Sequence, residues 1–192
     1  MSPVVVNILD LIDLGGSSVI EHKLATFSSP NNPEIEEFIR NKAIGFANGK
    51  LSITYLVNDE DTGNVLGFFT LTHKSIIVNG ENLSTTSKKK LARYSRLDPC
   101  TGNYMASSFL IAQFGKNYAL DEIDRINGAD LMKIATDVLV SIQRQIGGGI
   151  VYLDCEDKPE LVSFYTGQNF KKFDDRFSAE DNQKYIQFMR FF

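Results

Sequence analysis

The fold of this chain is decided by SSFLIAQFGKN (residues 107–117) and, after a polar connection, RINGADLMKIATDVLVSIQRQI (residues 125–146). An apolar run of strand length leads through a turn that bears Gly128 into a long amphipathic helix. The first N–H groups of a helix lack intrahelical partners and carry the positive end of its dipole. We therefore predict a site for a ligand with phosphate groups, although a strand-turn-helix unit can also serve packing alone.

A second strand-helix unit follows downstream as IVYLDCEDKPELVSFYTGQNF (residues 150–170). Gly147, Gly148 and Gly149 end the long helix and lead into this strand, so they are interpreted as a helix terminus and not as a phosphate loop. Asp157 is the predicted N-cap of the short helix, and Pro159 lies in its first turn. NFKKF and YIQFMRFF close the chain as two predicted strands.

Composition fits one globular domain covering residues 1–192. The chain has 43% hydrophobic and 23% charged residues, which excludes a disordered class, and its net charge of −4 argues against a broad basic surface. The apolar segment PVVVNILDLIDLGG contains two Asp residues and makes a poor signal peptide, and no run is long enough to span a bilayer. Cys100 and Cys155 are the only cysteines, which is too few for a disulfide framework or a zinc site. From these features together we expect a reduced, soluble, cytoplasmic protein that binds no metal and no membrane.

The N-terminal half predicts a helix and a β-hairpin. Asn32 and Pro33 form a helix start, and the helix presents an apolar face. The predicted members of that face are Ile35, Phe38, Ile39, Ala43 and Phe46. Residues 51–74 alternate as two strands around a turn, and Gly67 within the second strand predicts a bulge or a close approach of the backbone.

Residues 75–104 are interpreted as an insertion between two strands. SIIVNGENLS predicts a short strand and a turn, and STTSKKKLARYSR predicts a short helix capped by Ser84, Thr85 or Thr86. Five cations cluster in this segment against the acidic background of the chain, namely Lys88, Lys89, Lys90, Arg93 and Arg96. They form either a solvated face or a contact for a phosphate-bearing partner, which is the nucleotide end of a cofactor or an RNA.

Together the two strand-helix units resemble the acyl-CoA-binding core of the GNAT superfamily of N-acetyltransferases, over roughly residues 24–173. The family opens the helix after its fourth strand with [RQ]-x-x-G-x-[GA], and Arg125 and Gly128 match this motif while Asp130 replaces a small residue. The family's F-Y-x-x-x-G-F motif matches residues 164–170 except at Asn169, which tolerates the left-handed conformation of a glycine. The implied fold is a mixed α/β structure whose central, mostly antiparallel sheet is flanked by helices.

The resemblance implies that backbone groups of two segments bind acetyl-CoA. At the strand end these residues are Ala112, Phe114, Gly115 and Lys116, and Gly115 is the expected place for the chain to splay. At the helix start they are Arg125, Ile126, Asn127, Gly128, Ala129 and Asp130. A carboxylate aimed at a pyrophosphate is repelled, so Asp130 either points away or weakens the site.

By the same resemblance Tyr165 is the candidate general acid, because a phenol near the leaving thiolate can supply its proton. The alternative is a tyrosine that only packs. No general base can be chosen among Glu122, Asp154 and Glu156, with Ser108 or Gln113 as polar relays. We expect Cys155 to be a buried inert thiol, and His22 and His73 are too isolated to bind a metal.

These observations predict an N-acetyltransferase that passes the acetyl group of acetyl-CoA directly to a primary amine on a small molecule or a peptide. A narrower resemblance, to prophage- and toxin-type members, rests on GFFTLT, LIAQFGKN and the segment from LDC to FY, and implies aminoacyl-tRNA as the acceptor. A third interpretation is a degenerate module that binds CoA or a protein without turnover. The oligomeric state stays open, with a homodimer among the candidates.

Overall fold

The strand and the helix that decide the fold are β5, Asn103–Lys116, and α6, Gly128–Ile146. The computed structural model describes residues 2–179 and 182–192. The other strands are β1 (Pro3–Asn7), β2 (Ile53–Asp59), β3 (Val65–Asn79), β4 (Ser95–Leu97), β6 (Ile150–Glu156), β7 (Lys171–Ser178) and β8 (Gln183–Phe191). The other α-helices are α1 (Ile8–Gly15), α2 (Ser17–Leu24), α3 (Pro33–Glu37), α4 (Ala43–Asn48), α5 (Thr85–Leu91) and α7 (Pro159–Gly167).

The described chain packs as two compact units. Unit 1 comprises the residues up to Thr72 together with Ile111–Val138. Unit 2 comprises His73–Leu110 and Leu139–Phe192. Strands β3 and β5 and helix α6 each contribute residues to both units.

In unit 1 the strands are ordered β1-β2-β3-β5, and β1 and β3 both pair with β2 in antiparallel orientation. The predicted hairpin is confirmed, but β3 continues to Asn79 through residues that the sequence predicted as a separate short strand. The register of the hairpin shifts where Val57 pairs with Gly67 and Asn58 pairs with Val65. This shift is the bulge that Gly67 predicted. The core of unit 1 lies between this sheet and the N-terminal helices and includes Leu24, Phe27, Ile39 and Phe68.

In unit 2 the strands are ordered β3-β5-β6-β8-β7, with β4 paired to β5. The β5–β6 ladder is parallel and joins Phe109 to Val151 and Leu110 to Tyr152. The β4–β5, β6–β8 and β7–β8 ladders are antiparallel, which confirms the predicted mixed and mostly antiparallel sheet. A second core lies in unit 2 and consists of Ile76, Val78, Leu91, Ala106, Ile150, Tyr152, Phe173 and Met189.

Several helix boundaries are set by local capping chemistry. Asn32 caps α3 by accepting the N–H of Ile35, and Ser84 caps α5 by accepting the N–H of Ser87, as predicted. The prediction that Asp157 caps α7 is wrong. Pro159 begins that helix, so Lys158 is its N-cap residue, and the Asp157 carboxylate lies 3.6 Å from the Lys184 ammonium instead.

The helical segment from Pro33 to Asn48 contains a π-helical turn at Phe38–Lys42, which the sequence did not predict. A π turn inserts one residue and rotates the helix face that follows it. Phe38, Ile39 and Ala43 are buried as predicted, but Ala47 is buried where Phe46 was expected, and Phe46 is exposed. The turn therefore changes which residues of α4 reach the core of unit 1.

The apolar spacing of α6 predicts one buried face, formed by Leu131, Ile134, Ala135, Val138, Ile142 and Ile146. Leu131 and Ala135 are fully buried in unit 1, but Ile134, Val138 and Ile142 are only half-buried, and Leu139, which lies outside the predicted face, is fully buried in unit 2. The prediction fails at Ile146, which is 68% exposed in the last turn, just before Gly147 ends the helix with a positive φ of 80°. None of the described helices is long and apolar enough to cross a membrane.

Gly67 lets unit 1 pack closely around the start of α6. A Cβ at this position would lie 2.8 Å from the Gly115 carbonyl oxygen and 3.0 Å from Leu131 Cδ2. We expect Gly67→Ala to lower the free energy of unfolding by about 1–3 kcal/mol, because a backbone oxygen and a helix must move to admit the methyl group. Urea denaturation measures this change.

The matched control is Gly45→Ala, in the exposed interior of α4, where an added Cβ meets nothing within 4 Å. This variant should be neutral or more stable than the wild-type protein, by up to about 1 kcal/mol, because alanine restricts the unfolded chain. Equal stability of Gly67→Ala and the wild-type protein would contradict the close approach.

Candidate active site

The strand end of the candidate site lies in unit 1. Along β5, Ala112 is exposed, Phe114 and Lys116 are half-buried and Gly115 is buried. A Cβ on Gly115 would lie 2.6 Å from Ile35 Cγ2 and 3.2 Å from Phe68 Cε1. The packing of α3 against the strand therefore requires a glycine here.

The connection from β5 to α6 is fixed by Asn117, which sequence reasoning missed. Its side chain is 3% exposed, its Nδ2 donates to the Val65 carbonyl at 2.8 Å, and its Oδ1 accepts the N–H groups of Ser28 and Ala119. Asn117 therefore joins the strand end to β3 and to the segment after α2. The only available signal was a polar residue directly after an apolar strand.

Arg125, the first residue of the predicted pyrophosphate motif, directs its side chain into the connection that precedes it. Its Nε donates to the Leu120 carbonyl at 2.7 Å and its Nη2 donates to the Tyr118 carbonyl at 3.2 Å. The guanidinium carbon also lies 5.4 Å from the centre of the Tyr118 ring. Arg125 thus stabilises the connection between β5 and α6. The next residue, Ile126, is 3% exposed and is therefore buried in unit 1.

The start of α6 carries a reciprocal cap. Asn127 Oδ1 accepts the Asp130 N–H at 2.8 Å, and Asn127 Nδ2 donates to the Asp130 carboxylate. This arrangement resembles a capping box and uses the N–H of the third helical residue. Gly128 and Ala129 are the first two residues of the helix, and N–H groups at these positions have no intrahelical partner. The helix start therefore retains two backbone donors, with the Asp130 carboxylate held by the cap residue.

In unit 2, Tyr165 lies on α7 with its ring enclosed by other aromatic side chains. It is 8% exposed and contacts the rings of Phe164, Phe170 and Phe188. Its hydroxyl makes no hydrogen bond to the described residues. Burial raises the pKa of the phenol above its ordinary value, and the Cys155 thiol adds to this increase, so Tyr165 stays protonated at neutral pH.

The end of α7 agrees with the sequence prediction. Asn169 adopts a φ of 64°, the left-handed conformation expected where the family motif has glycine. Phe170, 1% exposed, then packs edge to face against the Tyr165 ring.

Cys155 on β6 is a buried thiol with reduced acidity. It is 5% exposed, and burial, with smaller contributions from the carboxylates of Asp154, Asp157 and Glu156, raises its pKa to about 12. A thiol in this state is a poor nucleophile at neutral pH, in agreement with the predicted inert residue. Cys100, in contrast, is exposed.

The candidate bases occupy different environments. Asp154 accepts the Arg176 Nε–H at 2.7 Å, and Glu156 forms an ion pair with Lys158. Glu122 is exposed in a 3₁₀ turn of unit 1. Ser108, a predicted relay, is buried and donates its hydroxyl to the Lys74 carbonyl. The carboxylates of Asp154 and Glu156 are therefore both paired with cations of unit 2.

His73 has a partner that the sequence did not indicate. Its Nε2 lies 2.9 Å from the Ser107 hydroxyl, and its ring meets that of Phe109 edge to face. No group of His, Cys, Asp and Glu side chains suited to a metal ion occurs among the residues that the structure describes.

The chain has the GNAT fold. No protein-family model matches the sequence, and a comparison with curated proteins found no match. Solved structures, however, superpose over most of the chain, and they include structures of the toxin AtaT and of KacT, which share this fold.

The similarity to these structures is in fold and not in sequence. A tyrosine-to-phenylalanine mutant of KacT gives a TM-score of 0.63 at 14% identity, covering 96% of this chain and 94% of that one. AtaT complexed with acetyl-methionyl-tRNAfMet gives 0.61 at 16% identity, covering 85% of each chain. AtaTR bound with acetyl-CoA gives 0.59 at 13% identity, covering 99% of this chain and 93% of that one.

Proposed function

We propose that this chain is an acetyl-CoA-dependent N-acetyltransferase. The observation that carries the proposal is the start of α6, where a braced connection and a buried Ile126 leave the backbone donors of Gly128 and Ala129 at the positive end of a 19-residue helix. Such an end suits a diphosphate. The sequence resemblance of residues 125–130 and the similarity of fold to AtaTR bound with acetyl-CoA support the same ligand.

The transfer uses a direct attack. The acceptor amine, in its neutral form, adds to the thioester carbonyl, and the nitrogen of the tetrahedral intermediate loses a proton to solvent. The intermediate then collapses, and the C–S bond breaks to release CoA as a thiolate. Tyr165 donates its O–H toward the departing sulfur. A thiol has a reference pKa of ~8.5 and a phenol one of ~10, so the phenol is the weaker acid. Tyr165 therefore stabilises the departing thiolate by a hydrogen bond before any complete proton transfer. The Tyr165 hydroxyl makes no hydrogen bond to a described residue, which supports this role, while burial raises the pKa of the phenol and so limits it to hydrogen bonding the thiolate.

Calorimetric titration with acetyl-CoA, followed by a thiol-release assay against polyamines, amino acids, peptides and charged tRNA, tests the proposal. Saturable binding with release of CoA in the presence of at least one amine supports it. Binding without thiol release across the panel favours the non-enzymatic module. Absence of acetyl-CoA binding overturns the proposal.

A narrower candidate acceptor is the amino group of an aminoacyl-tRNA. AtaT, which shares the fold, forms a complex with acetyl-methionyl-tRNAfMet. The cations on α5 and the segment after it provide this chain with exposed groups for phosphate, in spite of its net charge of −4. Thiol release with methionyl-tRNA but not with deacylated tRNA supports this acceptor, and release with small amines alone contradicts it.

Asp130 is expected to weaken acetyl-CoA binding without preventing it. Its carboxylate is held at the helix start by Asn127, where it opposes a second anion. We expect Asp130→Asn to lower the Kd for acetyl-CoA about threefold to tenfold, which corresponds to roughly 1 kcal/mol. The substitution should also lower helix stability by ~0.3–1 kcal/mol, because a negative charge is lost from the first turn.

Calorimetry at low ionic strength measures the change in Kd. Asp137→Asn is the matched control, since Asp137 is exposed two turns along the same helix, where it pairs with Lys133. It removes the same charge and should leave Kd nearly unchanged. An equal or weaker affinity of Asp130→Asn would show that the carboxylate does not oppose the ligand.

A further inference from the structure

The basic cluster of unit 2 consists of Lys88, Lys89, Lys90, Arg93 and Arg96, all within nine residues of sequence. All except Lys88 are exposed, and none forms an ion pair with a residue that the structure describes. The nearest acidic residue in sequence, Asp98, accepts the Cys100 N–H and the Thr101 hydroxyl. The cluster is therefore an uncompensated positive surface on an acidic protein.

Capping and burial hold this surface in one conformation. Ser84 caps α5 at one end, and the Ser95 hydroxyl donates to the Leu91 carbonyl at 2.7 Å near the other. Leu91 is fully buried in the core of unit 2. The lysines that precede Leu91 thus project from an anchored helix, which limits the conformational entropy lost when a ligand binds them.

Helix stability does not account for the cluster. Lys88, Lys89 and Lys90 lie in the last turn of α5, where cations interact favourably with the helix dipole. Arg93 lies beyond the helix and Arg96 lies in β4, so neither contributes to that effect. Five neighbouring cations also repel one another, so their positions indicate an anionic partner.

An aromatic side chain interrupts the cluster. Tyr94 is 41% exposed, and its ring lies where a Cβ on Gly149 would be, so the backbone of Gly149 supports one side of the ring. Aromatic rings between cations are typical of surfaces that bind unpaired nucleotides, because bases stack on the ring while cations contact the phosphates.

We propose that the basic cluster and Tyr94 dock the RNA part of an aminoacyl-tRNA acceptor. Lys89, Lys90, Arg93 and Arg96 contact phosphates, and the Tyr94 ring stacks on an unpaired base of the single-stranded end. The inference rests on the proposed function in its aminoacyl-tRNA form. It assigns to residues 84–96 the role of substrate docking, separate from acetyl-CoA binding and from the chemical step.

Fluorescence anisotropy with labelled deacylated tRNA tests the docking surface without requiring catalysis. The variant Lys89→Ala/Lys90→Ala/Arg93→Ala/Arg96→Ala should raise Kd about 30-fold or more, and the slope of log K against log salt should decrease in magnitude by about 3. Tyr94→Ala should weaken binding of tRNA about fivefold or more, and binding of an RNA duplex without an overhang much less.

The matched control is Lys42→Ala/Arg144→Ala/Lys171→Ala/Lys172→Ala, which removes the same charge from exposed positions outside the cluster. It should change Kd less than about threefold. Equal weakening by the control, or no weakening by the cluster variant, overturns the proposal. Binding of the wild-type protein to phosphatidylglycerol vesicles but not to tRNA also overturns it.

Acetyl-CoA titration and thiol release with small primary amines separate this inference from the proposed function. The cluster variant should match the wild-type protein in both measurements. Failure of the wild-type protein in both, with cluster-dependent binding of tRNA retained, would overturn the acetyltransferase and leave the RNA surface in place.

Discussion

Tyr165→Phe is expected to lower kcat for acetyl transfer about 100-fold or more, with little change in the Kd for acetyl-CoA. The substitution removes a hydroxyl that has no hydrogen-bond partner among the described residues, and it keeps a ring of the same size against Phe164, Phe170 and Phe188. The packing should survive, so the free energy of unfolding should change by less than about 1 kcal/mol. A thiol-release assay under saturating acetyl-CoA measures the effect.

Tyr152→Phe is the matched control for the same chemical change. Tyr152 is also a buried tyrosine of unit 2, with a pKa raised to about 12 by burial and the Asp154 carboxylate, but it lies on β6 and packs in the core. Loss of the Tyr152 hydroxyl should leave kcat within about threefold of the wild-type value. If both variants retained full activity, Tyr165 would be a packing residue.

Gly128→Val is expected to weaken acetyl-CoA binding about 30-fold or more. Gly128 is the first residue of α6, and a branched side chain there would obstruct the approach of a diphosphate to the N–H groups of the first turn. Calorimetric titration gives the Kd, and far-ultraviolet circular dichroism verifies that the helix is retained.

Gly128→Ala provides the graded comparison. A methyl group covers less of the first turn, so this variant should lose severalfold in affinity and remain between Gly128→Val and the wild-type protein. If Gly128→Val bound acetyl-CoA as tightly as the wild-type protein, the assignment of residues 125–130 as the pyrophosphate site would be wrong.

The elements that sequence predicted correctly are those with local causes. Asn32 and Ser84 cap helices because each side chain reaches an N–H three residues ahead. Asn169 takes the left-handed conformation, which asparagine tolerates better than most other residues. The apolar periodicity of α6 and the alternation of the hairpin likewise depend on neighbouring residues alone.

The features that sequence did not predict depend on residues distant in the chain or on backbone geometry without a sequence signal. No residue in Phe38–Lys42 marks a π turn, and Asp157 leaves its expected cap position for an ion pair with Lys184. The motif located Arg125 but not the carbonyls of Tyr118 and Leu120 that its side chain meets. Two hydrogen bonds between Asn127 and Asp130 hold the Asp130 carboxylate at the helix start. The motif alone did not predict the position of this carboxylate.

The contrast between the two cysteines has a practical consequence for handling the protein. Cys100 is exposed and Cys155 is buried with a pKa of about 12, so maleimide reagents at neutral pH should attach at Cys100 alone. Oxidation in air would join two copies through the same sulfur. Measurements of molecular mass in solution therefore need a reductant, or covalent dimers will be mistaken for a native assembly.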